Sequence, residues 1–590
     1  MKKEGRTYRE WLIGILCLSV FCMMYASGNS SGYPLSEPLN VVSTMPDNKP
    51  RPKNEKLITL IHADLMYKRP TDPRATILFG HVRLFHDGTY LDCDSARYYK
   101  EDNSFDAFGH VKMTQADTLT LVSDTLYYDG FDERAKARGH CVMTHRKTKL
   151  VTSNLDYDRM YDVGMYVNGG TLYDNNNVLV SDWGQYTPRT REAFFTDNVV
   201  LKGYEDDDKK REREPKFTLV SDTLYYYTDT QFAKIVTPTN ITSSDGTFVF
   251  GQAGNYDTKK GKGWLFDRSY VIKDMRTIIG DSLFSDDATG ISEAFGNVVL
   301  TDDENLCMLT GDYCLYNNNT GYAMATDRAV AYEYSQKDTL YVHGDTLKMF
   351  TFNMNTDSAY HDMHAYHKVR CYRVDLQGVC DSLVVHELDS CTYMYGQPIL
   401  WNEQQQIFGE EIRIYNNDST IDWAHIINQA MTIEKLDSAS YNQVASKEMF
   451  AYFKDGQIEH NEAKGNVYVD YYMNEDDGTR IGMNYTETTE LKVFMENKKV
   501  KRIWMPAATG TIYPQFAIPS DKKFLDGFAW FDYVRPMSKD DIFDWRSKSE
   551  DAMLKKSETK KVPLQRLDNI GMTSVTQPEE VKNDTMDTQE

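Results

Sequence analysis

The densest group of side chains able to do chemistry is His361-Asp-Met-His364-Ala-Tyr-His367, with His343 before it and His386 after it. Imidazoles so close together are zinc-ligand or general-base material. On a helix His361 and His364 would share a face, whereas on a strand positions three apart point to opposite faces. The neighbours Tyr360, Tyr366, Val369 and Cys371 favour a strand. Exposed strand or loop histidines are therefore the first reading and a metal site the second. No H-E-x-x-H, G-x-S-x-G or phosphate-cradling loop occurs. Asp206-Asp207-Asp208 lacks the alternating spacing of a calcium loop and runs into Lys209-Lys-Arg-Glu-Arg, a solvated charged insertion. Gly261-Lys-Gly263 reads as a hairpin turn. The expectation is a chain with no catalytic residues, no metal and no cofactor.

Seven cysteines follow residue 28: Cys93, Cys141, Cys307, Cys314, Cys371, Cys380 and Cys391. None forms a C-x-x-C pair, so zinc-ribbon and thioredoxin readings lack their motif. Small buried residues on strands are the expectation. The charge balance is 66 basic against 88 acidic residues, a net of -22, which argues against a nucleic-acid partner. With 40 Tyr and 26 Phe against 8 Trp, the 590-residue chain has a composition that favours strands and tight turns.

The ends differ from the middle. Lys2, Lys3, Arg6 and Arg9 precede an apolar run from Trp11 to Tyr25, and Ala26-Ser27-Gly28 offers a small-residue cleavage site. Residues 1–28 therefore read as a signal peptide, with an uncleaved anchor as the alternative. Residues 29–56, with five prolines, read as a linker. Residues 501–546, with Trp504-Met-Pro506 and Phe528-Ala-Trp-Phe531, suit a cap or docking segment. Residues 547–590 read as a disordered tail.

Between these ends the chain repeats itself. Leu121-Val-Ser-Asp-Thr-Leu-Tyr-Tyr128 recurs as Leu219-Val-Ser-Asp-Thr-Leu-Tyr-Tyr226. Weaker copies place Asp94, Asp124, Asn154 and Asp182 at steps of 30, 30 and 28 residues. A second signature alternates with the first: Gly80-His-Val, Gly109-His-Val, Gly139-His-Cys, Gly296-Asn-Val and Gly465-Asn-Val. A constant period near 30 marks a stacked architecture, because one such unit cannot bury its own apolar side. Stretches such as Val82-Arg83-Leu84 and Val111-Lys112-Met113 alternate apolar and polar, giving each strand one dry and one wet face. Gly or Asn before the strand permits a left-handed turn, and the Asp is placed to hydrogen-bond backbone amides at a bend. The Tyr pair should set one ring on each face. The predicted fold is all-β: an elongated, jellyroll- or solenoid-like stack of antiparallel strands, with repeats over 57–330 continuing over 331–500.

These two alternating signatures, Gly-His/Asn-Val and Leu-Val-Ser-Asp-Thr-Leu-Tyr-Tyr, resemble the OstA/LptA-like family of lipopolysaccharide transport. The resemblance spans most of residues 57–500. It implies two facing sheets with an open groove along one edge, holding lipid acyl chains, and modules that dock end to end. It further implies lipopolysaccharide or its lipid A as cargo. Other bridge components at the inner and outer membranes would be partners, through edge-to-edge β docking. The location implied is the periplasm, with inner-membrane tethering or outer-membrane association left open. Two departures matter: a single bridge module of that family is much shorter, and its outer-membrane member carries a large barrel for which too few alternating strands follow residue 500. On this resemblance, Val82, Leu84, Leu91, Val111, Met113, Leu119, Leu121 and Val142 are assigned to the lipid-facing inner side. The competing reading is a secreted β-solenoid adhesin or polysaccharide-degrading enzyme, for which a shorter coil of roughly 20–25 residues is expected.

Overall fold

The computed structural model describes residues 56–548 and 554–555, apart from 117, 206–213, 274, 304–305, 335–337, 355, 357, 418–420, 455–456, 476 and 497–498. The expected signal peptide, almost all of the linker, most of the charged insertion and most of the tail lie outside these residues. Among the described residues no helix is long and apolar enough to cross a membrane. The chain is all-β: forty strands form one antiparallel sheet, and the described helical turns are 3-10 segments of three residues after Pro514.

The sheet is folded lengthwise. Strand Asp72–His86 pairs through its first part with Leu65–Arg69 and through its last part with Thr59–His62. Its register slips between Phe79 and Val82, at Gly80-His81. Every long strand bends at such a slip, and the shorter strands are simply interrupted there. The strand ends therefore build two leaves that face each other. Leaf 1 contains Val82–His86 and Thr89–Cys93, and leaf 2 contains Ser95–Tyr99 and Ser104–Phe108. Alternate residues of both leaves point inward into one continuous apolar core that runs from Ile58 to Leu491. This is the dry face that the period-two alternation requires.

The two sequence signatures meet at the fold line. Gly109 and His110 stand at φ +75° and +42°, a two-residue bulge opposite Asp94. His110 Nδ1 lies 2.8 Å from Asp94 Oδ2. The same contact, at the same 2.8 Å, joins His81 to Asp64 and His140 to Asp124. Where the sequence has Asn, its amide serves instead: Asn198 donates to Asp182 at 2.7 Å and Asn297 to Asp281 at 2.8 Å. A side chain on Gly109 would overlap the Asp94 carboxylate, so the small residue is fixed by the clamp as well as by φ. The Asp was expected to meet backbone amides, and Asp124 accepts from the His140 amide at 3.2 Å; its closer partner is the His or Asn side chain of the neighbouring strand.

The clamp makes a pH statement. The hydrogen-bonded Asp64 carboxylate raises His81 above its ordinary value, and Asp94 does the same for His110. A raised native value means the clamp contributes most below the unfolded histidine's value near 6.5 and fades as pH rises through the native one. Imidazole titrations by NMR should give midpoints above 6.5 for His81 and His110, and H110N should keep the fold while removing its share of the pH dependence. Midpoints at or below 6.5 would contradict the clamp.

The segment read as a cap or docking segment runs along a face of the sheet. From Gln515 to Lys548 the chain crosses the outer side of leaf 1 in the reverse direction of the stack. Leu525, Phe528 and Trp530 pack on Met431, Ile433 and Tyr441. Ala529, Phe531 and Val534 pack on Val379, Ile399 and Trp401. Phe543 reaches His343, with ring centroids 4.9 Å apart. Three buried glutamines grip this strap: Gln443 holds Leu525, Gln406 holds Ala529 and Phe531, and Gln377 holds Arg535.

Candidate functional site

The site this fold can offer is the space between its leaves. On leaf 1 the innermost row passes in register through Leu84, Leu91, Met113, Leu121, Met143 and Leu150. Seven of the eight residues assigned to the inner side, Val82, Leu84, Leu91, Val111, Met113, Leu119 and Leu121, lie in the core, each exposed by 4% or less. Leu121 is 1% exposed and its neighbour Val122 39%, as alternation demands. Val142 is a correction: it pairs with Val122 on the outer side and is only half-buried, while Cys141 and Met143 point inward. In Gly80-His-Val82 the inward residue follows His directly, and in Gly139-His-Cys141 that residue is the cysteine. Counting to the next valine slips by one and changes face.

Leaf 2 faces this wall with a second row. It reads Phe105, Tyr128, Ala135, Tyr157, Gly164, Tyr186, Ala193, Tyr226, Ala233, Tyr256 and Gly263, one residue per strand in direct register. Tyrosine alternates with alanine or glycine, so each ring lies over the small residues beside it. The second tyrosine of the repeated Leu-Tyr-Tyr step is thus the inward one: Tyr128 is 4% exposed and Tyr127 43%.

The rings reach across the edge where the leaves would otherwise part. Tyr128 meets His86 Nδ1 at 2.7 Å, Tyr157 donates to Gln115 at 3.1 Å and Tyr186 meets His145 at 2.9 Å. These contacts span 42, 42 and 41 residues. Tyr226 donates to Asp174 at 2.9 Å over 52 residues, the charged insertion supplying the difference. Asn177 donates to the Tyr226 hydroxyl as well, at 2.9 Å. His86 Nε2 faces the Lys56 carbonyl at 2.9 Å and so carries the proton, leaving Nδ1 to accept. Buried Arg159 closes the first contact, donating to the Tyr128 hydroxyl at 2.6 Å and to the Asp87 carbonyl at 2.9 Å. Burial holds His145 below its ordinary value, so it stays neutral at pH 7. The expected open edge is therefore closed over these repeats by buried, hydrogen-bonded rings. A recess beneath Tyr128, lined by Leu84, Leu91, Phe105 and Met113, has about 230 Å³ of empty space even with its mouth included. That is below the usual size of a ligand pocket.

Further along, the rings run out. After Tyr316 and Ala323 the same leaf-2 row continues as Met349, Met363, Val385, Thr392, Ile414, Ala424, Ala451, Asn461, Val493 and Ile503. From Ile414 on its members are half-buried or exposed, and Ile503 is 53% exposed. On leaf 1, Leu400, Ile407, Val444 and Val469 are likewise only half-buried, although each still packs against the core.

The histidine group does not assemble. His361 pairs with Glu387, His386 with Asp362, and His364 with the Tyr366 hydroxyl. His367 sits on the fold line facing Asp381, and buried His343 meets the Ala329 carbonyl. Among the described residues no three His, Cys, Asp or Glu side chains are arranged to hold a metal ion. The seven cysteines are all buried, and burial pushes the Cys141 thiol up to about 11 and the Cys93 thiol to about 12. The polar partners of the tyrosines were missed by sequence reasoning. Their signal was present: His86, Gln115, His145 and Asp174 each stand at a hairpin end about 42 residues, insertion aside, before a repeat's second tyrosine.

The described residues form a folded antiparallel stack with a continuous apolar interior. Residues 55–207 match a family model described as OstA-like protein. Among solved structures the chain is similar to LptH, the LptA-homologous periplasmic component of the lipopolysaccharide transport device of Pseudomonas aeruginosa. The identity is 16%, with 19% of this chain and 76% of that chain covered, at a TM-score of 0.16. No curated protein matches the chain.

Proposed function

We propose that this protein is a non-catalytic periplasmic bridge that carries lipopolysaccharide between the inner and outer membranes, with its acyl chains between the leaves. The observation that carries this reading is the match of residues 55–207 to the OstA-like family model, together with a fold in which every repeat turns its apolar face inward. The net charge of -22 is compatible with an anionic lipid if the chains go inside and the head groups stay in water. Transfer of acyl chains from water gains about 0.8 kcal/mol per CH₂. The inward residues from Val82 to Leu121 form part of the interior wall in this reading. Docking to other bridge components uses the two ends of the stack, where Leu65–Arg69 and Lys499–Trp504 each pair on one side only among the described residues.

Depletion in the native cell tests it. Lipopolysaccharide should accumulate at the inner membrane within a few generations. Normal export, with altered adhesion or glycan turnover instead, would replace the bridge reading by the adhesin or glycan-degrading one.

A further inference from the structure

We infer that the lipid-binding section of the interior is the downstream stretch between residues 400 and 503, and that the tyrosine-filled repeats before it are closed to ligand. The inference rests on the bridge reading for its ligand, the acyl chains of a lipid, and on the side-chain row of leaf 2 for its place.

That row is a single line of residues in register: the alternation of tyrosine with a small residue runs to Gly263, Ser285 and Ser292 interrupt it, and the row holds no tyrosine after Tyr316. Upstream it alternates tyrosine with alanine or glycine, and the hydroxyls join His86, Gln115, His145 and Asp174 across the edge. Each such contact satisfies polar groups that are otherwise buried, so an acyl chain entering there would have to break several hydrogen bonds and displace a ring. Downstream the row holds Ile414, Ala424, Ala451, Asn461 and Val493, which occupy less space than tyrosine and have no hydroxyl to reach across. The facing wall stays mostly apolar: Leu400, Ile407, Val444 and Val469, with Thr432 between Ile407 and Val444, hold the positions that Leu121 and Leu150 hold upstream. Both walls are partly open to solvent here, whereas the equivalent upstream positions are sealed. Half-exposed apolar walls on two facing sheets are a binding surface rather than a finished core.

The edge of the same stretch fits the head of such a lipid staying outside. Asn402, Gln405, Glu434 and Asn442 occupy the leaf-1 row nearest the opening, each exposed or half-buried. Upstream the corresponding places hold the buried His86, His145 and Asp174 that receive the tyrosines. A rim of carboxamides with one carboxylate offers hydrogen bonds to sugar hydroxyls and no attraction that would draw a phosphate inward. The strap braces this section from behind: its grip on Gln406 and Gln443 lies on the outer side of the leaf whose inner side carries Ile407 and Val444.

The test places a photo-crosslinking amino acid at Val444, Leu121 or Val122 in the full-length protein and irradiates it with purified lipopolysaccharide. Labelling at Val444 should exceed that at Leu121 and Val122 by at least tenfold. Restoring rings at alternate places in the row, by Ala424→Tyr with Asn461→Tyr on either side of Ala451, should reduce Val444 labelling at least tenfold while the thermal unfolding midpoint is held or raised. The single-site comparison of Val444 with Leu121 decides the matter even if the double variant fails to fold. Labelling at Leu121 equal to or above Val444 would overturn the assignment and leave the bridge reading intact. No labelling at any position, in protein that still restores export to depleted cells, would overturn the acyl-chain reading and this inference with it.

Discussion

Replacing Gln406 with leucine is expected to free the strap from leaf 1 at a cost of several kcal/mol. Gln406 is fully buried. Its Nε2 donates to the Ala529 carbonyl at 2.8 Å, and its Oε1 accepts from the Phe531 backbone at 2.8 Å and from Trp401 Nε1 at 3.1 Å. The carboxamide thus acts as a one-residue strand, pairing with both backbone groups of the strap as a β-ladder would. Leucine keeps most of the volume and removes all three partners. Each buried group left unmade costs about 1–3 kcal/mol, so the total exceeds the loss from packing. Urea unfolding should show the loss, and limited proteolysis should cut Q406L between residues 515 and 548 at least tenfold faster than the parent. Unchanged cleavage would mean that the apolar contacts of Trp530 and Phe531 alone hold the strap.

That strap is also where sequence reading reached its limit. Trp530 and Phe531 announce a surface that must be covered, but not by what. The answer lies in Gln377, Gln406 and Gln443, and a glutamine on a strand reads as a wet-face residue unless its partner is known. The stack itself was legible because its cause is local: alternation, a glycine or other left-handed residue at the bend and, in most copies, an aspartate opposite. Even there, the parity of Val142 depended on whether Cys141 or Val142 takes the first place after the bulge, and the more apolar-looking residue was the wrong choice. The tyrosine pair was correctly divided between the faces. Its polar partners were not found, because the contact joins positions some 42 residues apart and requires knowing that the sheet folds back on itself.

Tyr226→Ala should be among the most damaging single changes in the upstream repeats. Removing a fully buried ring costs about 3–5 kcal/mol by cavity formation and lost transfer energy. Here the hydroxyl adds to that, since it donates to the buried Asp174 carboxylate and accepts from Asn177. Tyr226→Phe separates the two contributions: it keeps the ring and should cost about 1.5–3 kcal/mol, the usual range for a hydrogen bond to a charged group. The pH profile gives an independent readout. Burial raises Asp174 above the ordinary carboxylate value, while Tyr226, Thr148 and Asn175 pull it back down. A carboxyl raised in the native state binds its proton more tightly there than in the unfolded chain. Stability then falls as pH rises from the unfolded value near 3.9 through the native one. Without the tyrosine hydroxyl the native value moves up further, so Y226F should lose more stability than the parent over that rise, and D174N should flatten the profile in both backgrounds. Urea midpoints measured from pH 4 to pH 8 distinguish the cases. A constant difference between Y226F and parent at every pH would show that Asp174 does not depend on this hydroxyl, and the ring alone would then account for the closure of the edge.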